Sequence, residues 1–334
     1  MNNEEMNDDH FFDQERISHS ERDYEVRLRP TNFDEYIGQK KVVQNVELMS
    51  KSALKRNQAM DHILLSGPPG LGKTSLAMLT AKELGSQLHV ISAPALERKG
   101  DLAAILSNLN DQDVLFIDEI HRLHITIEEI LYSAMEDFKL DIVIGQGPAA
   151  RTVQIDLLPF TLIGATTRAG LLSNPLRDRF MAHLNFDFYQ PNDLSKIIEM
   201  NAKKLKLNVT KDARLMMGHC CRGTPRIANR ILRRVRDYAL VHDREVIDQE
   251  VVKIALSMLE IDDLGLDSMD RKILTVIRDY YQNGPVGIDA LSATLGEDKQ
   301  TIEDVYEPYL LKEGLLIRTP RGRMLSDKSI DHLN

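Results

Sequence analysis

The segment Gly67-Pro-Pro-Gly70-Leu-Gly72-Lys73-Thr74 constrains this chain more than any other, because it spaces glycines, a lysine and a hydroxyl as G-x-x-x-x-G-K-[ST]. Glycines let successive backbone N–H groups turn toward one anion without interference from side chains. The apolar run Ile63-Leu64-Leu65 precedes the segment and the helical pattern Leu76 to Leu84 follows it, so the order is strand, glycine loop, helix. In that order Lys73 reaches the β and γ phosphates of a nucleotide. Thr74 offers its hydroxyl to Mg²⁺, and the helix presents its positive end. Average composition produces the pattern by chance in about one chain in a hundred of this length, and the flanking elements make it rarer still. ATP or ADP with Mg²⁺ is the expected ligand.

At 334 residues the chain exceeds one ordinary domain of roughly 100 to 200, which predicts two or three. No apolar run approaches the roughly 18 to 20 residues that cross a bilayer, so a membrane protein is not expected. The start MNNEEMNDDH lacks the basic and apolar stretches of a secretory signal, and a cytoplasmic location is expected. Cys220 and Cys221, adjacent in a helical pattern, supply neither a disulfide framework nor a four-ligand zinc site and are expected as buried thiols. The net charge of −9 argues at first against nucleic acid. Yet residues 1–25 hold nine acids and two arginines, hence seven of those nine negative charges. That tail reads as a disordered, solvated arm, and the remainder is close enough to neutral to carry a local basic surface.

Short apolar runs recur at Leu88 to Ile91, Val114 to Ile117, Thr161 to Gly164 and Leu184 to Phe188, separated mostly by helical stretches. This alternation predicts a parallel α/β sheet. Between two of them, alternating Ile142/Ile144 and Val153/Ile155 flank Gly145-Gln146-Gly147-Pro148, the pattern of an inserted β-hairpin. After Pro191 only helices are expected: Asp193 to Leu205, Lys211 to His219, Pro225 to His242 and Asp248 to Leu259. From Asp262 three further helices, Met269 to Gln282, Ile288 to Leu295 and Lys299 to Glu313, suggest helix-turn-helix. Leu315 to Arg318 and Arg323 to Leu325, joined by Thr319-Pro320-Arg321-Gly322, form a wing beside them. The expected organisation is an acidic tail over 1–25, a large ATPase domain over 26–189, a small helical lid over 190–261 and a winged-helix DNA-binding head over 262–334.

Four further groups carry chemistry. The run Val114 to Ile117 ends in Asp118 and Glu119, an acidic pair delivered to the carboxyl edge of a sheet. Asp118 suits the Mg²⁺ shell and Glu119 the polarisation of an attacking water, a task that a protein which only binds phosphate does not need. Gly164-Ala165-Thr166-Thr167-Arg168 ends another run, where a threonine can meet phosphate or water. Leu176-Arg177-Asp178-Arg179-Phe180 offers an arginine that a subunit could present across a boundary. In Gly223-Thr224-Pro225-Arg226, Thr224 reads as an N-cap and Pro225 as the first helical residue. Arg226 then sits in the first turn against the helix dipole, which favours a functional reason for it.

Taken together, GPPGLGKTSLA, FIDEIHRL, LIGATTRAGLLSNPLRDRF and RGTPRIANRILRRVRDYA resemble the RuvB family of AAA+ motors, with LRPTNFDEYIGQ and LIRTPRGRM extending the likeness over about Leu28 to Arg323. The resemblance implies Leu28 and Arg29 as adenine-side contacts and Gly70, Lys73, Thr74 and Ser75 as phosphate contacts. It implies Asp118 and Glu119 as the Walker B pair, Thr167 as sensor 1, Arg179 as the finger given to a neighbouring subunit, Tyr189 as a nucleotide-side aromatic and Arg226 as sensor 2. Glu136, Asp137 and Phe138 fall in a segment that approaches nucleotide in that family, and Arg318 and Arg323 match its DNA contacts. Ser75 stands where Thr is commoner, Phe138 where Tyr is commoner, and Met181 where Gly usually follows the finger motif. The family forms hexameric rings around duplex DNA, two of them flanking a four-way junction bound by RuvA. The resemblance thus implies ATP-driven branch migration of Holliday junctions, RuvA docking on the hairpin 139–156, and RuvC resolvase as a further partner.

Other classes use parts of the same set. A replication initiator or clamp loader would share the nucleotide motifs, but base reading would call for polar residues on Lys299 to Glu313, which instead offers Glu303, Asp304 and Glu307. A winged-helix regulator with a nucleotide switch has no use for an intersubunit arginine. A small-molecule kinase would need an acceptor pocket that nothing here suggests.

Overall fold

The computed structural model describes residues 27–144 and 151–333, so the acidic tail over 1–25 and the hairpin turn at 145–148 lie outside the described residues. The chain separates into two units. One joins Gln190–Asp267 to the residues up to Thr31; the other joins Asn32–Tyr189 to the segment from Ser268 onward.

Seven strands lie in the second unit's first segment: β1 Ile63–Ser66, β2 Leu88–Ser92, β3 Val114–Asp118, β4 Lys139–Ile144, β5 Arg151–Asp156, β6 Thr161–Thr166 and β7 Ala182–Asn185. The helices among them are α1 Lys40–Arg56, α2 Lys73–Leu84, α3 Lys99–Ser107, α4 Ile125–Glu136 and α5 Asn174–Asp178. Five strands form a parallel sheet in the order β2-β3-β6-β1-β7. Burial on both faces explains why the inner strands read as unbroken apolar runs: every residue of β1 and β6 is buried. Leu115, Ile117, Phe160 and Leu162 pack with Leu131 and Ala134 of α4 and Leu102 and Leu106 of α3 in one apolar cluster. Strands β4 and β5 pair antiparallel with Lys139 opposite Asp156 and Ile144 opposite Arg151, as expected of the insertion.

The last strand corrects the sequence reading. The apolar run suggested Leu184 to Phe188, whereas β7 is Ala182–Asn185. Pairing decides this: β7 lies on β1 with Ile63 opposite Ala182 and Ser66 opposite Asn185, and β1 ends there. Phe186 donates its N–H to the Ser66 carbonyl at 2.7 Å. The chain then leaves the ladder however apolar its next residues are.

The lid unit holds α6 Pro191–Lys204, α7 Lys211–His219, α8 Pro225–Val241 and α9 Gln249–Met258. It is not purely helical as expected, since β8 Asn208–Val209 and β9 Val246–Ile247 form a two-stranded parallel ribbon, each too short to leave a pattern in the sequence. Thr224 caps α8 by accepting the Ile227 N–H at 3.4 Å, with Pro225 beginning the helix. Cys220 and Cys221 are buried free thiols, and burial pushes the Cys220 thiol up to about 11.

The final segment contains α10 Ser268–Tyr281, α11 Ile288–Leu295, a helical stretch from Lys299 to Lys312, and the antiparallel wing strands β10 Leu316–Thr319 and β11 Gly322–Leu325. A terminal helix, Asp327–Leu333, was not expected. The stretch after α11 is α-helical over Lys299–Thr301, π-helical over Ile302–Tyr306 and α-helical again over Glu307–Lys312. Pro308 supplies a cause. It has no N–H for the carbonyl of residue 304, and its ring crowds that carbonyl, so the turn widens. No described helix is long and apolar enough to cross a membrane.

Candidate nucleotide site

A loop that points its N–H groups at an anion turns carbonyls the other way, and those carbonyls need donors. They have them here. Lys73 Nζ donates to the carbonyls of Gly67 and Pro68 at 2.7 and 2.9 Å. The Tyr36 hydroxyl donates to the Gly72 carbonyl at 3.1 Å and the Tyr189 hydroxyl to that of Leu71 at 3.2 Å. Burial, and then Tyr189 beside it, push the Tyr36 hydroxyl well above its ordinary value, so it stays a donor. Glycine is required at Gly67 and Gly72, where φ is 138° and 100° and a Cβ would stand 2.5 Å from the Phe186 carbonyl oxygen and from the Tyr36 hydroxyl oxygen. Gly70 is also left-handed at φ 77°, and Thr74 and Ser75 are half-buried in the first turn of α2.

Across the carboxyl edge, Asp118 ends β3 and its Oδ1 accepts the Glu119 N–H at 3.0 Å. Glu119 has left-handed backbone, φ 51°, which turns its side chain back along the edge. Its Oε2 accepts from the Thr167 hydroxyl at 3.2 Å, so the residues expected as Walker B and sensor 1 are in contact. His121 was not singled out from the sequence. Its Nδ1 lies 3.2 Å from the same Glu119 oxygen and 3.0 Å from Thr166 Oγ1. Burial lowers the imidazole pKa against the pull of Glu119 and Asp304, which keeps the ring neutral at neutral pH. The hydroxyl of Thr74 and the carboxylate of Asp118 are the hard oxygen donors that Mg²⁺ takes alongside phosphate, and the residues fit that ion.

Arg179 follows α5. Its guanidinium donates to Glu136 Oε2 at 3.0 Å and to the Pro175 carbonyl at 2.7 Å, and lies 4.5 Å over the Tyr132 ring. The expected finger and the segment Glu136 to Phe138 are therefore neighbours, and Arg179, Met135, Phe138 and His62 line one cavity of about 410 Å³. Asp137 is exposed at the end of α4, and Phe138 packs edge-on against Phe160 at 5.8 Å. Met181 is 75% exposed and its N–H meets the His62 carbonyl at 3.0 Å, so the side chain that replaces glycine projects outward and displaces nothing. Arg177, the other arginine of that segment, is exposed. Three other expected residues belong to the lid unit. Leu28 is buried there, the Arg29 carbonyl accepts from Lys204 at 3.0 Å, and Arg226 is exposed in the first turn of α8.

The wing arginines differ from the sequence picture of open phosphate contacts. Arg318 and Arg323 stand opposite each other on β10 and β11, and both meet carboxylates. Arg323 is buried, donating Nε to Glu307 at 2.5 Å and Nη2 to Glu303 at 2.8 Å. Burial alone would lower its pKa, but these two acids outweigh that and raise it. Arg318 pairs with Glu307 and keeps half its side chain exposed.

The comparisons with known proteins agree with this arrangement. Three family models match in succession: the Holliday junction DNA helicase RuvB P-loop domain over residues 28–186, the RuvB AAA lid domain over 189–262 and the RuvB C-terminal winged helix domain over 263–334. The chain is 54% identical over 313 residues to the Holliday junction branch migration complex subunit RuvB of Lawsonia intracellularis, covering 94% of this chain and 92% of that protein. A structure described as the Thermotoga maritima RuvB Holliday junction branch migration motor superposes with a TM-score of 0.86 at 48% identity, over 92% of this chain and 98% of that one. A variant of the same Thermotoga protein gives 0.85 over the same shares. The P-loop sheet, the lid and the winged helix of the fold thus fall where the three family models match, and the chain belongs to the RuvB family.

Proposed function

We propose that this chain is an ATP-hydrolysing motor subunit that drives branch migration of Holliday junctions, working as a homohexameric ring on duplex DNA with RuvA in recombination and repair. The observation that carries the reading is the Thr167–Glu119 contact at 3.2 Å beside the P-loop, because a sensor tied to a water-polarising carboxylate belongs to hydrolysis, not to storage of nucleotide. ATP binding would exchange the carbonyls on Lys73 for β and γ oxygens, with Gly70, Thr74 and Ser75 completing the cradle. Mg²⁺, held by Thr74 and Asp118, would neutralise phosphate charge. Glu119 orients water and Thr167 reports the γ-phosphate. Arg179 leaves Glu136 to reach a neighbour's nucleotide, near which Asp137 and Phe138 also lie. Leu28, Arg29, Tyr189 and Arg226 serve the adenine and sensor-2 side.

The domain reading is a tail over 1–25, an ATPase domain over 26–189, a lid over 190–261 and a head over 262–334. On the hairpin 139–156, Val153 and Ile155 are exposed apolar residues, which suits docking of RuvA. RuvC is a further partner of the complex, and the cytoplasm is its place of action. Arg318 and Arg323 hold duplex phosphates. The deciding experiment is dissociation of a synthetic four-way junction by the chain with ATP, with and without RuvA. The reading predicts ATP-dependent dissociation that RuvA accelerates, and loss of dissociation in both arms with intact ATPase would overturn it.

A further inference from the structure

Arg168 follows the sensor threonine directly, yet its side chain does not serve the nucleotide edge. Its N–H donates to Thr166 Oγ1 at 2.9 Å, which ties its backbone to the sensor strand. Its guanidinium instead reaches the winged-helix segment, donating Nε to Asp304 Oδ1 at 2.5 Å and Nη2 to Glu303 Oε2 at 3.4 Å. The other oxygen of Glu303 accepts from Arg323 at 2.8 Å. One carboxylate is therefore shared between the residue after the sensor and the buried arginine of the wing. With Glu307 on Arg318 and Arg323, three arginines face three carboxylates in one continuous chain.

Two features make this chain more than a clamp. Glu303 and Asp304 lie on the π-helical turn, a widened stretch whose hydrogen bonding is poorer than that of the α-helix around it. And a phosphate can take Arg323 only as far as Glu303 lets go, because exchanging one anion for another gains little by itself. Besides Arg318, whose guanidinium lies 3.8 Å from the oxygen that Arg323 holds, the group to which Glu303 can turn is Arg168 at 3.4 Å. Thr167 must change partner when a γ-phosphate arrives, and it cannot move without its neighbour.

We propose that Arg168 is a positioning residue that couples the nucleotide site to the wing, setting through its shared hold on Glu303 how strongly the chain's own carboxylates compete with DNA phosphate for Arg323 and Arg318. The inference rests on the functional reading above, which supplies the γ-phosphate at Thr167 and the DNA at the wing.

The test measures duplex affinity of the full-length chain in two nucleotide states, with a non-hydrolysable ATP analogue and with ADP, at one salt concentration. Coupling between two sites is ordinarily about 5- to 150-fold, so the wild-type affinities should differ by a factor in that range. In Asp304→Asn and in Arg168→Ala the two affinities should come to within about twofold of each other. DNA-free ATP hydrolysis of Asp304→Asn should stay near wild type, since Asp304 is hydrogen-bonded to Arg168 and reaches the nucleotide edge only through the effect of its charge on His121. The exchanged pair Arg168→Asp with Asp304→Arg should restore part of the difference, which also guards against a single variant that folds poorly. A purely structural clamp would weaken binding equally in both states and keep their ratio, and that result overturns the proposal. So does a wild-type chain whose duplex affinity ignores the nucleotide. A wild-type chain that binds no duplex or hydrolyses no ATP would instead sink the functional reading itself.

Discussion

On the function proposed above, the nucleotide cradle and the wing both offer cations to phosphate, yet they hold those cations in different company. Lys73 rests on the neutral carbonyls of Gly67 and Pro68, whereas Arg318 and Arg323 rest on the carboxylates of Glu303 and Glu307. A phosphate arriving at Lys73 replaces a dipole by a full charge and gains accordingly. One arriving at the wing replaces an anion by an anion. The cradle therefore favours tight, unconditional binding, and the wing favours a grip that is weak, salt-sensitive and dependent on what the carboxylates are doing. A motor that must release DNA at every step needs the second kind.

The largest expected effect breaks the comparison at the cradle alone. Arg179→Ala should cut ATP hydrolysis by about 10³-fold or more while leaving nucleotide affinity largely intact, because Arg179 as the proposed finger meets transition-state charge. Mixing supplies the check. Rings of Arg179→Ala and Lys73→Ala subunits, each inactive alone, should recover hydrolysis at interfaces where one donates the finger and the other the P-loop. No recovery in verified mixed rings would point to Arg177 or to a finger acting within its own subunit.

Next in size is Glu119→Gln, which keeps the phosphate contacts but loses the carboxylate that polarises water. Turnover should fall by about 10²- to 10³-fold with ATP still bound, and turnover above about a tenth of wild type would count against the role. Duplex affinity with bound ATP should be preserved or raised, since the ATP state then persists.

The wing variants sharpen the comparison by separating two arginines that the sequence treats alike. Arg318 is half exposed, so Arg318→Ala should weaken binding to unrelated duplexes about equally and flatten the slope of log K against log salt by about one unit. Arg323 is buried on Glu307, itself fully buried, so Arg323→Ala should change the salt slope less and cost more in stability, about 1 to 3 kcal/mol, read as a lower Tm. Equal effects on slope and on Tm for both variants would show that the carboxylates do not distinguish them.

These contrasts also mark where sequence reasoning reaches its limit. Helices Lys211–His219 and Ile288–Leu295 fall where the periodicity puts them, because caps and turns there are local. Strand β7 was displaced because its ends are set by β1, more than a hundred residues earlier. The proximity of Asp118, Glu119 and Thr167 was legible, since Asp118 ends one apolar strand, Glu119 follows it and Thr167 follows another, and neighbouring parallel strands bring such ends to one edge. Tyr36 and His121 were not, because each acts through tertiary contacts that no spacing encodes. The acids Glu303, Asp304 and Glu307 stand out in the sequence as unsuited to base contacts, but their partners Arg168, Arg318 and Arg323 could be found only in three dimensions.

The smallest expected effect asks whether the cradle's support is as unconditional as its cation. Tyr36→Phe removes one hydroxyl and leaves the ring, so the Gly72 carbonyl loses its 3.1 Å donor while packing is kept. A single neutral hydrogen bond contributes about 0.5 to 1.5 kcal/mol net, hence ATP affinity should fall by about 2- to 10-fold. The loss should appear in KM and not in kcat at saturating ATP, because the hydroxyl supports the loop and touches no reacting atom. Burial first, and Tyr189 second, hold the Tyr36 hydroxyl protonated well above its ordinary value. The affinity ratio of wild type to Tyr36→Phe should therefore be flat from about pH 6 to 9. Tyr189→Phe, which removes the donor to Leu71, should behave alike. Duplex binding in the absence of nucleotide should be untouched in both, since neither tyrosine meets Arg318 or Arg323. Unchanged ATP affinity would show that the loop carbonyls find water as readily as tyrosine, and a fall in kcat beyond about tenfold would mean that the hydroxyl positions the phosphates themselves.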